Sequence, residues 1–370
     1  MENTKEKKHY KVFELPLKNK TLAVIDLAWW IFHNNLERLV KTSLIHQYDL
    51  SDVYRINNKL EQPVICELVK VINTYAKLKE EAKEEYVIGI SLRSFGMCDK
   101  LLFNYIAEHV KPTANWFFYD IDPAIFEMMK NSFQINDTIK PHIKIAPRKK
   151  AVAVIANDTA KEDPFNFTAH ISACEKCITS ALSTVVKSIM QQNSDGYQLL
   201  SSSSVYASHY VNVKELFQKP EDFALVLYYL TRLVEKKDLK YDALIATSKN
   251  GAILASLLGD LVDAEVVYCI SIGPQFSIPA DWLDQRIEQG KRYLHVSDFI
   301  CLGTEVKLIN AILASRRSTL IGGVGIASFI PVGKRNPDLK SPLANYECLI
   351  NVMGNTKEFD IKFKKTGGKK

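Results

Sequence analysis

The chain has 370 residues, of which 47% are hydrophobic and 24% are charged, and its formal net charge is +6. This composition is typical of a soluble globular protein with two or three domains, and no apolar run approaches the roughly 20 residues that span a membrane. Seven cysteines without a regular spacing exclude a disulfide framework and indicate a reducing, cytoplasmic compartment. The first residues are charged and lack the apolar region of a secretory signal.

The positive charge lies at the two ends of the chain. Residues 1–20 hold six lysines and three glutamates, and residues 361–370 hold five lysines and no acidic residue, so the chain between them carries a net charge of −2. We predict a basic N-terminal tail over 1–20 and a basic C-terminal tail over 356–370. Solvated ends are the interpretation that we favour, and contact with nucleic acid is the alternative.

The first domain, predicted over 21–192, alternates strands and helices. The hydrophobic pattern predicts a strand running into a helix over 21–32, a helix over 62–84, a strand over 86–92, a helix over 97–110, a strand over 115–120, a helix over 123–129 and a strand over 151–157. This order predicts an α/β unit, although it does not identify the type.

Three aspartates follow predicted strands of this domain. Asp26, Asp120 and Asp122 would lie at the carboxyl edge of one sheet, where a carboxylate cluster can hold Mg²⁺ for a phosphoester reaction. Aspartate is also a favoured helix N-cap, and Asp122 directly precedes Pro123. We favour capping and turn roles, and we keep the phosphoester reaction as an alternative function.

Cys174 and Cys177 form a Cys-x-x-Cys motif in an apparent helix. A structural zinc site needs a second pair of ligands at similar spacing, and the sequence has none. We therefore predict two half-buried structural thiols. Residues 191–196 are polar and predict a linker to a second domain over 195–355.

The second domain contains two strand–turn–helix segments about 50 residues apart. The pattern predicts an amphipathic helix over 220–237, a strand over 243–246, a loop over 247–251, a helix over 252–258, a strand over 265–270, a strand ending near Asp298, a turn at Gly303, a helix over 306–316, and strands over 321–330 and 346–352. In such a sheet, backbone N–H groups at a helix N-terminus bind phosphate, and ligands lie at the carboxyl ends of the strands.

This order resembles that of the type I phosphoribosyltransferases, and within them the orotate phosphoribosyltransferase-like branch, over roughly residues 195–352. Val296–Glu305 is similar to the family's phosphoribosyl-pyrophosphate (PRPP) motif, and Thr247–Gly251 is similar to its pyrophosphate loop. Residues 204–214 look like the strand that enters the domain. The resemblance implies a parallel sheet flanked by helices and a homodimer.

The resemblance also implies a binding site. PRPP or a nucleotide would contact Thr247, Ser248, Lys249, Asn250, Gly251, Ser297, Asp298, Cys301, Gly303 and Thr304. Asp298 and Lys249 would have catalytic roles, and Asp298 would also contact Mg²⁺. An exposed loop lysine is the alternative for Lys249.

The PRPP motif is degenerate. Ser297 replaces one of two acidic residues that contact the ribose in the family, and Cys301-Leu302 replaces two threonines that contact the 5′-phosphate. Glu305 stands where the family has Thr or Ser, and a carboxylate in a phosphate site repels the phosphate unless it points away. The segment Ser271–Lys291, which corresponds to the catalytic loop, is rich in acids.

Two functions therefore remain open for the second domain. It is either a phosphoribosyltransferase that uses PRPP and Mg²⁺, or a nucleotide-binding sensor or regulator that has lost transferase chemistry.

Overall fold

The protein is described here by a computed structural model, which covers residues 12–42, 59–111, 114–135, 144–145, 152–154, 167–192, 194, 196–200, 205–236, 240–269, 286–330, 342–352 and 361–363. Two compact units divide the chain. The first comprises residues 1–47 and 53–181, and the second comprises 48–52 and 182–370. Within the described residues, no helix is both long enough and apolar enough to cross a lipid bilayer.

The first unit is built on a six-stranded sheet in the order β1-β2-β4-β6-β8-β7. Its elements are β1 (Phe13–Pro16), β2 (Thr21–Asp26), α1 (Leu27–Thr42), β3 (Lys59–Leu60), α2 (Gln62–Glu81), β4 (Tyr86–Ser91), β5 (Met97–Cys98), α3 (Lys100–His109), β6 (Trp116–Tyr119), α4 (Pro123–Ile135), β7 (Lys144–Ile145), β8 (Val152–Val154) and most of α5 (Phe167–Ser188). The central strands β2, β4 and β6 are parallel, and β1, β7 and β8 pair antiparallel. The predicted α/β order of this unit is confirmed.

Two elements of the first unit differ from the prediction. Residues 13–16, assigned to a basic tail, form the edge strand β1, because Phe13 is buried against β2. The helix predicted from residue 97 begins at Lys100, because the Asp99 carboxylate accepts a hydrogen bond from Leu101 N at 2.9 Å and caps the helix. The preceding residues, Met97 and Cys98, pair with β3 instead.

The second unit contains a five-stranded sheet in the order β14-β13-β15-β16-β17, and all its neighbouring strands are parallel. Its elements are β9 (Met190–Gln192), β10 (Gln198–Leu200), β11 (Val205–Ala207), β12 (His209–Val211), α6 (Val213–Phe217), α7 (Pro220–Lys236), β13 (Ala243–Ala246), α8 (Lys249–Val262), β14 (Glu265–Tyr268), β15 (Arg292–Ile300), α9 (Thr304–Ser315), β16 (Thr319–Ser328), β17 (Tyr346–Asn351) and β18 (Ile361–Phe363). This sheet, flanked by helices, confirms the predicted fold class.

The order of the sheet reverses between β13 and β15. The chain leaves β13 toward β14 on one side, and it leaves β15 toward β16 on the other. Because parallel crossovers are right-handed, α8 and α9 lie on opposite faces of the sheet. The carboxyl ends of β13 and β15 therefore form the crevice in which open α/β sheets bind ligands.

The core beneath α9 is apolar. Val306, Ile309 and Leu313 recur at helical spacing and are buried against the sheet. They pack with a cluster of buried side chains from the strands: Ala243, Ile245, Val267, Tyr293, Ile300, Leu320 and Tyr346. This packing fixes the first turn of α9 above the carboxyl end of β15.

Three peripheral segments of the second unit also differ from the prediction. Residues 204–214 were expected to form one strand, but a bend at Ser208 separates β11 from β12, and the chain becomes helical at Val213. Strand β11 pairs with β18, which lies in the predicted C-terminal tail. Strand β12 pairs with β9, which begins before the predicted linker and includes the first two residues of that linker.

Candidate functional site

The two predicted turns meet at the crevice between β13 and β15. Ala246 at the end of β13 is paired with Val296 of β15, so the residues that follow lie side by side. Ser248 Oγ donates a hydrogen bond to Asp298 Oδ1 at 3.0 Å, and Asn250 Nδ2 donates one to Asp298 Oδ2 at 2.9 Å. The Asp298 carboxylate thus joins two segments that are about 50 residues apart in sequence.

The loop predicted over 247–251 is shorter than expected. Ser248 is the N-cap of α8, because its Oγ accepts a hydrogen bond from Gly251 N at 2.9 Å. Lys249 is therefore the first helical residue rather than a loop residue; its side chain is exposed, and no ion pair involves it within the described chain. A serine directly before an apolar helix is a known N-cap signal and would have placed this boundary correctly.

Gly251 allows α8 to approach β15 closely. A Cβ atom at this position would lie 2.8 Å from Ser248 Oγ and 3.0 Å from the Val296 carbonyl oxygen. Such contacts are shorter than real Cβ contacts, so a larger residue would push the helix away from the strand. The glycine thereby keeps Ser248 and Asn250 within reach of Asp298.

The turn after β15 is formed as predicted. Gly303 is the N-cap of α9 in the left-handed region, with a φ of 71°, and Thr304 is the first helical residue. Ser297 and Cys301 are both buried, so neither side chain is exposed for a ligand in solution. The first turn of α9 points its backbone N–H groups to the carboxyl edge of the sheet, where they favour an anion.

Glu305 lies in the first turn of α9, and its side chain points into this site rather than away from it. It lines a small cavity together with His295, Ser297, Gly303 and Thr304. Burial raises the pKa of Glu305 to about 7; a hydrogen bond from Thr247 opposes that rise, and the nearby Asp298 carboxylate adds to it. Within the described residues, no cation forms an ion pair with Glu305. The protein's own carboxylate therefore lines the cavity at the N-terminus of α9.

His295 is a further polar residue of the site, and sequence reasoning missed it. It is fully buried in β15, and its Nε2 lies 2.7 Å from Thr247 Oγ1. Burial lowers the pKa of His295 to about 4, so the imidazole is neutral at physiological pH. Its Nδ1 atom has no hydrogen-bond partner among the described residues. The sequence did contain a signal for His295, because it is a polar residue inside the apolar run 293–296.

Thr247 connects His295 to Glu305. Its hydroxyl lies against the imidazole and also hydrogen-bonds the Glu305 carboxyl. The His295 ring packs against Tyr346 at a centroid distance of 5.8 Å. Gly323 makes room for Tyr346, because a Cβ atom there would lie 2.3 Å from Tyr346 Cε1. The result is a buried polar row beneath the first turn of α9.

The cavity lined by these residues is small. Its volume of about 10 Å³ is the space of about one water-sized group. A hydroxyl group fits that space, whereas a phosphoryl group has three terminal oxygens, each about as large as a water molecule.

The residues present do not fit a metal held by the protein. Both oxygens of Asp298 accept hydrogen bonds from side chains, and Ser297 occupies the position of a second carboxylate. In the part of the chain that the structure describes, no group of three His, Cys, Asp or Glu side chains has the geometry of a metal site. The Mg²⁺ that the resemblance implies therefore gains no support from the donor set.

The aspartates of the first unit have structural roles. Asp26 accepts a hydrogen bond from Trp29 N at 3.1 Å, and Asp122 accepts one from Ala124 N at 2.8 Å, so the two cap α1 and α4. Asp120 is paired with the Arg93 guanidinium at 2.5 Å. The contacts of Asp26 and Asp122 agree with the predicted capping roles, whereas Asp120 forms an ion pair. None of these contacts supports a phosphoester site.

The Cys-x-x-Cys pair is more buried than expected. Cys174 and Cys177 lie on α5 with exposed fractions of 0% and 1%. Burial raises the pKa of both thiols, to about 12 for Cys177. Cys174 packs above Gly89, where a Cβ atom would lie 2.8 Å from its Sγ. Both thiols therefore belong to the core.

Some predicted features lie outside the described residues. They include most of both basic tails, residues 271–285 of the predicted catalytic loop, and residues 193 and 195 of the predicted linker. At the end of the segment predicted as the catalytic loop, Lys291 is paired with Glu265 and Glu288, each at 2.8 Å.

No protein-family model matches the sequence, and no curated protein does. Among solved structures, orotate phosphoribosyltransferase from Aeropyrum pernix is 14% identical, with a TM-score of 0.35, over 48% of this chain and 95% of that one. Adenine phosphoribosyltransferase from Thermoanaerobacter pseudethanolicus is 12% identical, with a TM-score of 0.34, over 46% of this chain and 99% of that one. UMP synthase from Leishmania donovani is 12% identical, with a TM-score of 0.34, over 77% of this chain and 74% of that one.

The first two of these structures are phosphoribosyltransferases, and every one of the three TM-scores is below 0.5. The parallel strand order and the two turns at its crevice define the fold of the second unit.

Proposed function

We propose that the second unit binds a ribose-containing ligand through Asp298 and does not transfer phosphoribosyl groups from PRPP. The observation that carries the proposal is a pair of carboxylates on adjoining turns. Asp298 lies at the mouth of the crevice, and Glu305 lines the cavity at the N-terminus of α9.

Asp298 is suited to the vicinal hydroxyl groups of a ribose. A carboxylate offers about four acceptor sites, and the hydrogen bonds from Ser248 and Asn250 use two of them. The remaining sites can accept from two neighbouring hydroxyl groups. The two donors also hold the carboxylate in one orientation, so little side-chain freedom is lost when a ligand binds.

The charges around the crevice argue against pyrophosphate as a leaving group. An enzyme that releases pyrophosphate directs cations at the developing charge. Lys249 is exposed on the first turn of α8, and Lys291 is paired with two glutamates. Glu305 would add a negative charge next to the ligand's phosphates.

An active transferase is the second candidate function. The N-terminus of α9, with Gly303 in its left-handed conformation, is an arrangement that can bind phosphate through backbone N–H groups alone. This candidate predicts Mg²⁺-dependent binding of PRPP and release of pyrophosphate with an acceptor base.

Calorimetric titration of the full chain distinguishes the two. The probes are adenosine and uridine, each with its 2′-deoxy analogue, and PRPP with and without Mg²⁺. We expect at least one riboside to bind about tenfold or more tightly than its 2′-deoxy analogue, since a hydrogen bond to a carboxylate contributes about 1.5–3 kcal/mol. PRPP should bind weakly, and no acceptor base should release pyrophosphate.

The Asp298→Asn variant should lose this preference for the 2′-hydroxyl. Asp260→Asn, an equivalent change at an exposed position of α8, is the matched control and should retain it. Asp26→Ala, which removes a helix cap in the first unit, should also retain it. Binding that is unchanged in Asp298→Asn, or absent for every probe, refutes the proposal. Micromolar, Mg²⁺-dependent binding of PRPP with pyrophosphate release would establish the transferase instead.

A further inference from the structure

We infer that the cavity beneath the N-terminus of α9 receives the free 5′-hydroxymethyl end of the ribose, so that the site selects nucleosides and excludes their 5′-phosphates. This inference rests on the proposed function, because Asp298 must hold the other side of the sugar. Glu305 is the residue that determines this specificity.

The first argument is the position of the cavity. Ser297 lines it and directly precedes Asp298, and Thr304 and Glu305 line it from the next turn. In a ribose ring, the 2′- and 3′-hydroxyl groups and the C5′ group lie on opposite sides. A ribose that donates its vicinal hydroxyl groups to Asp298 can therefore turn its C5′ end toward α9.

The second argument is the hydrogen-bonding character of the cavity. Thr247 Oγ1 lies 2.7 Å from His295 Nε2, and the Thr247 hydroxyl also hydrogen-bonds the Glu305 carboxyl. The Glu305 carboxylate is an acceptor that lines the cavity, and the hydroxyl group of a ligand is a donor that can satisfy it.

The third argument is size and charge. The cavity is small, with a volume of about 10 Å³, and it opens to solvent. A 5′-phosphate would bring its negative charges close to the Glu305 carboxylate. Like charges in such a partly buried site weaken binding by on the order of tenfold.

Titration of matched pairs tests the inference. The probes are adenosine against AMP and uridine against UMP, measured at about pH 8 with the full chain, with Glu305→Gln, and with Glu347→Gln as the control. Glu347 is a partly exposed residue of β17, outside the cavity, and its carboxylate lies 4.0 Å from Lys236 Nζ; this control therefore removes the same charge elsewhere in the unit. The wild type should bind the nucleoside at least tenfold more tightly than its 5′-monophosphate. In Glu305→Gln this ratio should fall by about tenfold, and in Glu347→Gln it should not change.

The outcomes separate the inference from the proposed function. A monophosphate that binds as tightly as its nucleoside, while both still require the 2′-hydroxyl, overturns the inference and leaves the proposed function intact. A ratio that is the same in Glu305→Gln and in the wild type overturns the role of Glu305. If no riboside binds at all, the proposed function fails and the inference fails with it.

Discussion

The Glu305 carboxyl should make the stability of the second unit depend on pH in an unusual direction. Its pKa is raised from 4.5 to about 7 in the folded chain, mainly by burial. Between these pH values the folded state holds more protons than the unfolded state. The stabilisation is therefore complete below about pH 4.5 and is lost as the pH rises through about 7, opposite to the effect of an ion-paired carboxylate.

The expected change in the free energy of unfolding follows from the size of the pKa shift of Glu305. A change from 4.5 to about 7 corresponds to about 3 kcal/mol at 1.36 kcal/mol per pKa unit. The side chain is half-buried, and solvent reduces such effects, so we expect about 2 kcal/mol. Glutamine has the shape of the protonated acid and does not ionise. Relative to the wild type, Glu305→Gln should therefore gain about 2 kcal/mol in free energy of unfolding between about pH 5 and about pH 8.

The wild type must be compared with Glu305→Gln because His295 makes stability change with pH in the opposite direction. Its pKa is lowered from 6.5 to about 4, so the unfolded state holds more protons and stability rises with pH across that range. The difference between the wild type and Glu305→Gln cancels this contribution, which is common to both. The assay is urea unfolding of the full chain at several pH values.

The control for this measurement is Glu347→Gln, which alters a partly exposed side chain on β17. Its pH curve should run parallel to that of the wild type. If the curve of Glu305→Gln is also parallel to the wild-type curve between about pH 5 and about pH 8, the carboxyl is not buried as described. The Glu305 carboxyl would then not lie in the cavity at the N-terminus of α9.

Two further predictions concern packing. Gly323→Ala should destabilise the second unit by about 2–3 kcal/mol, because the added Cβ would lie 2.3 Å from Tyr346 Cε1. Gly290→Ala, which meets no atom within 4 Å, should cost only about 1 kcal/mol for its positive φ, and equal effects in urea unfolding would contradict the close packing. A thiol reagent applied to the native chain at about pH 8 should leave Cys174 and Cys177 unmodified by mass spectrometry, because both are buried and their pKa values are raised. Rapid labelling of either cysteine would show that α5 opens in the native state.

Local patterns in the sequence were enough to predict much of the fold. The strand Ala243–Ala246 has the bounds that its apolar run predicts, and the turn at Gly303 is where the glycine indicated. The spacing of Val306, Ile309 and Leu313 predicted the buried face of α9. These signals are local, because they depend on residues within one or two turns of each other.

Other features depended on contacts between distant parts of the chain. The strand expected over 204–214 was divided because β11 and β12 found partners in β18 and β9. The sequence likewise contained no local signal that the two ends assigned to tails would contribute β1 and β18. Strand pairing is a non-local interaction, so the hydrophobic pattern of one segment cannot specify its partner.

The candidate site was likewise predicted in part by local patterns and determined in part by contacts between distant residues. The sequence by itself determined which residues follow the strands β13 and β15, and it identified Asp298 and Glu305 as the positions that decide the chemistry. Only the tertiary structure decided that Ser248 and Asn250 hold Asp298, and that Glu305 points into the cavity above His295. The physical reason is that parallel pairing of β13 with β15 brings together side chains about 50 residues apart, and burial there sets their hydrogen bonds and their pKa values.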